Sequence, residues 1–453
     1  MKSYELKPTF ENLLSTFIDD TIGRDEDIYK FANILNEIDD CCSIAIDDRW
    51  GNGKTFFVKQ TKMVLDAYNN FTNNIDGPSK NRIKNKLNSF YSEEAINFRP
   101  QVCVYYDAWE NDNDDDPMLS LVYSIMKSAN VDFLSKLDVN IWKLASSVMD
   151  FFTAKNWSDI IDSFQSDNPL ESLQQPKDIE ERIKDFLQSL LPKHGDRLII
   201  FVDELDRCKP SYAVKLLERI KHYFSNDNIT FVFSVNLMEL QHTIKQHYGN
   251  DFDACRYLDR FFDLRMSLPE IDKRKFFQNM NFGNTIWDVN KICLEFAKNY
   301  KFSLREMGKY VRLMKIANYD ITHSISPTRR YIDNATGFCL LYIVPVMIGL
   351  KIVDINKYNN FISGENAEPF ISLSDHISEA YLWNYDESNG NVPKISKEER
   401  LKKVYEALFS PLYQDSHSQY VGTLEFDDSV REIILRTANL LSDFTNINAD
   451  EGE

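Results

Sequence analysis

Short uninterrupted apolar runs, separated by stretches with helical spacing, set the pattern of the first part of this chain. Cys42 to Ile46 is too short for a helix and, Ser43 apart, too apolar for a surface, so it reads as a buried strand. A helical stretch, Ile22 to Ile38, precedes it. After it, DDRWGNGKT leads into FFVKQTKMVLDAY, where apolar residues recur every three to four positions. Val102 to Tyr106 is a second such run, followed by DAWENDNDDDP and the helical MLSLVYSIMKSA, with Pro117 suited to a first helical turn. A helix from about Asp178 to Leu191 precedes the strand segment RLIIFVDELDR, Arg197 to Arg207, and a further helix precedes NITFVFSVN, Asn228 to Asn236. Continuous apolar strands alternating with helices predict an α/β core whose parallel sheet is covered on both faces.

Beyond Pro269 strand signals thin out and helical patterns dominate. The expected organisation is therefore a first core segment, 1–127, with a polar surface excursion at 69–99, then a mostly helical insert, 128–195. A second core segment, 196–270, and a helical C-terminal domain, 271–453, with a frayed acidic tail complete it. Gly337 to Leu350 is the most apolar stretch, but it falls short of the about 20 residues a spanning helix needs. It reads as a buried helix, and no integral membrane segment is expected.

Composition narrows the function. The chain has 453 residues, 43% hydrophobic, long enough for two or three packed domains. With 52 basic and 70 acidic side chains the formal charge is −18, which repels nucleic acid and anionic membranes unless basic groups cluster locally. KNRIKNK, Lys80 to Lys86, is such a local run and reads as a solvated helix face, leaving nucleic-acid binding possible but not indicated. Seven cysteines without paired spacing and seven histidines without a ligand pattern predict a reduced, cytoplasmic protein with no zinc site. The N-terminus lacks the apolar run of a secretory signal.

Two motifs carry chemistry. Asp48 to Thr55, read as Asp48, Arg49, Trp50, Gly51, Asn52, Gly53, Lys54 and Thr55, follows the phosphate-loop pattern G-x-x-x-x-G-K-[S/T] except at its first position. Such a loop points backbone N–H groups at an anion on a helix N-terminus, with Phe56 next in line. Lys54 would reach the outer phosphates and Thr55 would bind Mg²⁺. Asp48 replaces a glycine that permits a left-handed turn, and it brings a charge unsuited to phosphate. The second motif is LIIFVDE, an apolar strand ending in two acids. Asp203 is the expected partner of Mg²⁺, and Glu204 the group that orients and deprotonates the attacking water. Asn236, at the end of the third strand, either contacts the γ-phosphate or water, or simply caps the next helix. Arg207, Arg260 and Arg305 are the candidates for stabilising the transferred phosphoryl group, against the more common role of a surface ion pair.

The chain resembles the KAP family of P-loop NTPases. The resembling pieces are SIAIDDRWGNGKT, VYYDAWENDNDDDPMLSLVYSI, IIFVDELDRCKP, FVFSVN, YLDRFFDLRMSLP and SLREMGKYVRLM, with Trp50 and DELDRC the most specific. The resemblance implies an additional-strand, AAA-like P-loop core with a helical lid, ATP as nucleotide, and Arg305 near the place where such lids present a sensor arginine. It also implies that Trp109 is a packing anchor for the second strand. Many relatives insert transmembrane helices between the two motifs, whereas this stretch is only amphipathic, which points to a soluble bacterial form. Such forms are often linked to defence against phage or plasmids, as a homo-oligomer or with partner defence proteins. A nucleotide-gated scaffold with little hydrolysis and a nucleic-acid-stimulated motor or sensor are the alternatives.

Overall fold

The computed structural model describes residues 7–71, 74–89, 97–114, 116–130, 139–153, 179–224, 228–280, 287–324, 334–378, 395–410 and 418–439. The chain divides into two compact units, Lys7–Asp272 and a second that contains Lys273–Glu453.

In the first unit α1 (Phe10–Ile18) and α2 (Asp25–Glu37) precede β1 (Cys42–Asp47), α3 (Lys54–Tyr68), α4 (Gly77–Asn88) and β2 (Gln101–Asp107). Then come α5 (Pro117–Ser128), α6 (Val139–Thr153), α7 (Ile179–His194), β3 (Arg197–Asp203), α8 (Pro210–Tyr223) and β4 (Ile229–Val235). The unit closes with α9 (Leu237–Tyr248), α10 (Ala254–Leu258) and β5 (Leu264–Ser267). The five strands form one parallel sheet in the order β2-β3-β4-β1-β5. β4 thus lies between the strand that feeds the phosphate loop and the strand that ends in the acidic pair. Because all strands run the same way, their C-terminal ends share one edge, where ligands of open α/β sheets bind.

Alternate side chains of these strands feed two apolar layers. Ile44, Ile46, Ile199, Phe201 and Val232 pack under α1, α2, α3 and α4, while Val104, Ile200, Val202, Phe231 and Phe233 pack under the helices of the opposite face. Burial on both sides is why the strands read as continuous apolar runs.

Several expectations change. α1 was not anticipated, nor was β5, whose residues are mostly exposed because it is an edge strand. The segment expected as a strand through Arg207 stops at Asp203. The stretch expected as an insert contributes Ile141, Ala145, Val148, Ile183, Phe186 and Leu190 to the core layer, so α6 and α7 are structural cover for the sheet. The rest of 131–175 lies outside the described residues. In the polar excursion, α4 buries Ile83 and Leu87, and Lys86 pairs with Asp25 at 2.9 Å.

The second unit comprises α11 (Lys273–Asn279), α12 (Trp287–Asn299), α13 (Leu304–Ser324), α14 (Asn334–Val353), α15 (Ile355–Ile362), α16 (Glu368–Ile371) and α17 (Lys397–Phe409). It continues with β6 (Ser418–Val421), β7 (Leu424–Asp427) and α18 (Asp428–Asn439). Among the described residues the unit is helical apart from the β6–β7 antiparallel hairpin, whose turn uses Gly422 at φ 62°. The frayed tail expected after Asp443 lies outside the described residues.

The apolar stretch at Gly337 to Leu350 extends into a helix of 20 residues, long and apolar enough to cross a bilayer by length and composition alone. Its most apolar window is 72% buried, and α12, α13, α15 and α18 pack around it, so here it serves as the core helix of the second unit. Gly349 allows close approach: a Cβ there would stand 2.3 Å from the Phe296 ring. Gly349→Val should overpack this contact and lower stability by about 2 kcal/mol, read as an earlier thermal or urea transition of the second unit.

Candidate functional site

The loop between β1 and α3 turns on two left-handed glycines, Gly51 at φ 87° and Gly53 at φ 85°, a conformation most side chains resist. Gly53 is the N-cap of α3 and no side chain caps the helix, leaving its first-turn amides to an anion. Asp48, expected to be strained, is not left-handed. It continues the strand pairing instead, its N–H donating to the Val235 carbonyl at 3.3 Å. Its carboxylate also stays within the loop, accepting from the Arg49 amide at 2.6 Å and Asn52 Nδ2 at 2.7 Å. The acid therefore clasps the loop shut from within.

Lys54 is buried and donates to the carbonyls of Asp48, at 2.5 Å, and Arg49, at 3.2 Å. Burial lowers its pKa, opposed by Asp206, Asp48, Asp203 and Glu204. Arg24, which sequence reading missed, supports the loop from beneath. Its Nη1 donates to the Asn52 carbonyl at 2.8 Å, and burial lowers its pKa to about 10. The only sequence signal was a basic residue directly ahead of the acidic first turn of α2. Arg49 is exposed, and Phe56 packs against the core layer beside α2 and α3.

Asp203 and Thr55 meet. The Thr55 hydroxyl donates to Asp203 Oδ2 at 2.7 Å, joining segments 148 residues apart in sequence. Tyr105, also missed, donates to the same oxygen at 2.8 Å, and the Glu204 amide donates to Oδ1 at 3.0 Å. Burial and Asp203 raise the Tyr105 pKa, so it stays a hydrogen-bond donor. A neighbouring hydroxyl and carboxylate are hard oxygen donors of the kind Mg²⁺ accepts. Among the described residues no group of three or more His, Cys, Asp or Glu could hold a metal. A divalent ion here would thus take its remaining ligands from water and phosphate, as Mg²⁺ commonly does.

Glu204 has left-handed backbone, φ 60° and ψ 22°, an uncommon conformation for a non-glycine residue and one that tends to occur at functional sites. Burial, then the charge of Asp203, push its pKa up to about 7, while Arg207 opposes the shift. The Arg207 Nε meets Glu204 Oε2 at 2.5 Å. The Arg207 guanidinium also lies 5.4 Å from the Trp50 ring and 5.5 Å from the Trp109 ring. Trp109 is 52% exposed, so its expected role as a packing anchor does not hold: β2 ends at Asp107 and the following turn carries the indole outward.

Asn236 caps α9, its side-chain oxygen accepting from the amides of Met238 at 3.2 Å and Glu239 at 3.4 Å. Asp47, also missed, accepts from the Leu237 amide at 2.8 Å. Ser234 lies in register with Asp203, and its buried hydroxyl has no hydrogen-bond partner among the described residues. Arg260 corrects the sequence reading. It is exposed, three residues before Asp263, which pairs with Ser43 at the start of β1, and so sits toward the sheet edge opposite the loop. The edges are about 17 Å apart for a six-residue strand. Arg305 is exposed in the first turn of α13, in the second unit.

A model described as "KAP family P-loop domain" matches residues 24–317. The chain belongs to the KAP family of P-loop NTPases. Among solved structures it is similar to the ORC2 protein of Aeropyrum pernix in ADPNP–ADP complexes, at 10% identity, with 93% of this chain and 95% of that chain covered and a TM-score of 0.33. It is also similar to the ORC1 protein of Aeropyrum pernix in complex with DNA, at 12% identity, with 94% of each chain covered and a TM-score of 0.32. The comparison with curated proteins returned no match.

In this KAP NTPase, raising the Glu204 pKa above the ordinary carboxylate value makes the native state the tighter proton binder. The resulting stabilisation is full below the unfolded pKa of 4.5 and is lost as pH rises through about 7. The Glu204 side chain is 21% exposed, so the loss should be on the order of 2 kcal/mol. With chelator and no nucleotide, urea unfolding at pH 5 and pH 8 should show Glu204→Gln gaining on wild type by that amount at the higher pH. An equal gap at both pH values would contradict the assigned shift.

Proposed function

We propose that this KAP NTPase binds Mg-ATP and hydrolyses it, coupling nucleotide state to conformational or assembly change. The observation that carries this reading is the 2.7 Å contact of Thr55 with Asp203, because it joins the phosphate loop to the acidic strand end. Loop amides and Lys54 hold the phosphates, and Thr55 and Asp203 hold Mg²⁺. When bound, the ion supplies positive charge that offsets the phosphate oxygens. Glu204, beside Asp203, orients the attacking water and takes its proton. Ser234, in register with Asp203, and Asn236, just beyond the end of β4, are the polar groups that β4 brings to this edge. Arg260 serves only if another subunit or a movement of its own segment brings it to the phosphates, and Arg305 is the sensor arginine that the family resemblance implies.

Phosphate release from ATP, measured with Mg²⁺ and with chelator, tests this. Metal-dependent turnover is expected, and its absence at saturating ATP would remove the hydrolytic step. One observation favours a second reading, a nucleotide-gated scaffold: the Arg207 pair already engages the Glu204 carboxylate. Nucleotide-dependent thermal stabilisation without turnover is its signature. The wider role, prokaryotic anti-phage or anti-plasmid defence by a cytoplasmic homo-oligomer or with partner proteins, rests on family resemblance. Phage plating on cells carrying wild type or Lys54→Ala tests it.

A further inference from the structure

The groups around Glu204 form a chain that begins in the phosphate loop. Trp50, in that loop, donates its Nε1–H to Asp206 Oδ2 at 2.6 Å and presents its ring to Arg207. Arg207 lies against a second indole, Trp109, carried on the turn after β2, and its Nε holds Glu204. That turn is itself fastened to the chain beyond Arg207, since the Lys209 ammonium meets Asn113 Oδ1 at 2.5 Å and its amide meets Asp112 at 3.2 Å. Two large aromatic side chains left 43% and 52% exposed are costly as mere surface, and each sits within cation–π range of one guanidinium.

We propose that Trp50, Arg207 and Trp109 are positioning residues: the two indoles fix the guanidinium, and through it the movement of the phosphate loop on nucleotide binding is passed to Glu204. The proposal rests on the hydrolytic reading for its consequence in turnover, but the relay itself is a linkage between the loop and Trp109. It assigns Trp109 no contact with nucleotide. The cation matters for its shape as well as its charge, because only a planar guanidinium can stack on rings while its Nε pairs with a carboxylate.

Turnover and nucleotide affinity separate under this proposal. Trp109→Ala should bind Mg-ATP within about twofold of wild type while kcat falls about fivefold, a cost comparable to one partly exposed cation–π contact. Trp109→Phe should recover most of the rate. Equal loss of affinity and rate, or no loss at all, would overturn it.

A second measurement does not need hydrolysis. With 5-fluorotryptophan in place of the 6 tryptophans, the ¹⁹F resonance that Trp109→Phe removes should shift when Mg-ADPNP is added. In Arg207→Met that shift should vanish although nucleotide binding, followed by thermal stabilisation, persists. A Trp109 resonance indifferent to nucleotide in wild type, or one that still moves without the guanidinium, would refute the relay. If wild type binds nucleotide but releases no phosphate, the hydrolytic reading fails while this spectrum still decides the linkage.

Discussion

Glu204→Gln is expected to lower kcat by about three orders of magnitude while leaving Mg-ATP affinity within a few-fold of wild type. The amide keeps the shape of the side chain and can still accept from Arg207, but it cannot take a proton. The hydroxyl and carboxylate assigned to the metal, Thr55 and Asp203, are untouched, and Asp203 remains tied to Tyr105 at 2.8 Å. Single-turnover phosphate release alongside a binding titration separates the two quantities. A variant that turns over at the wild-type rate would show that water activation lies elsewhere.

Lys54→Ala should weaken nucleotide binding by about 30- to 100-fold and take hydrolysis below detection. The ammonium faces Asp48, Asp203, Glu204 and Asp206, and removing it leaves these acids to repel the incoming phosphates. Because Lys54 also fastens the carbonyls of Asp48 and Arg49, the loop loses its internal tether together with its phosphate contact. Titration of a fluorescent ATP analogue reads the affinity, and circular dichroism checks the fold. Unchanged affinity would remove the loop as the phosphate site. The contrast matters more than either result: one variant should bind without turning over, and the other should barely bind.

Local pattern was enough to determine the α/β core and its chemistry here. The runs at Cys42 to Ile46, Val102 to Tyr106, Leu198 to Val202 and Ile229 to Val235 are apolar at nearly every position, Ser43, Thr230 and Ser234 excepted, because both faces of a parallel sheet are covered, so each strand announces itself. The loop motif and the acidic pair are each contiguous in sequence, so Lys54, Thr55, Asp203 and Glu204 could be named from order alone. β5 could not, since an edge strand of 4 mostly exposed residues carries little apolar signal. Nor could the 20-residue length of α14, because its ends are less apolar than its centre.

The tertiary structure decided what depends on contacts between distant residues. Asp48 proved to be a clasp because Asn52 and the Arg49 amide fold back onto its carboxylate, which no residue preference encodes. Arg24, Tyr105 and Asp47 carry no motif, and each matters only for the group it meets. Trp109 and Arg207 come together because β2 and β3 are neighbours in register, Asp107 beside Asp203, so the turns that follow them leave the sheet side by side. The same geometry keeps Arg260 away from the loop of its own unit, since β5 places it toward the opposite edge. Sequence fixes which chemistry is carried at each strand end, but strand order and register determine which ends face one another.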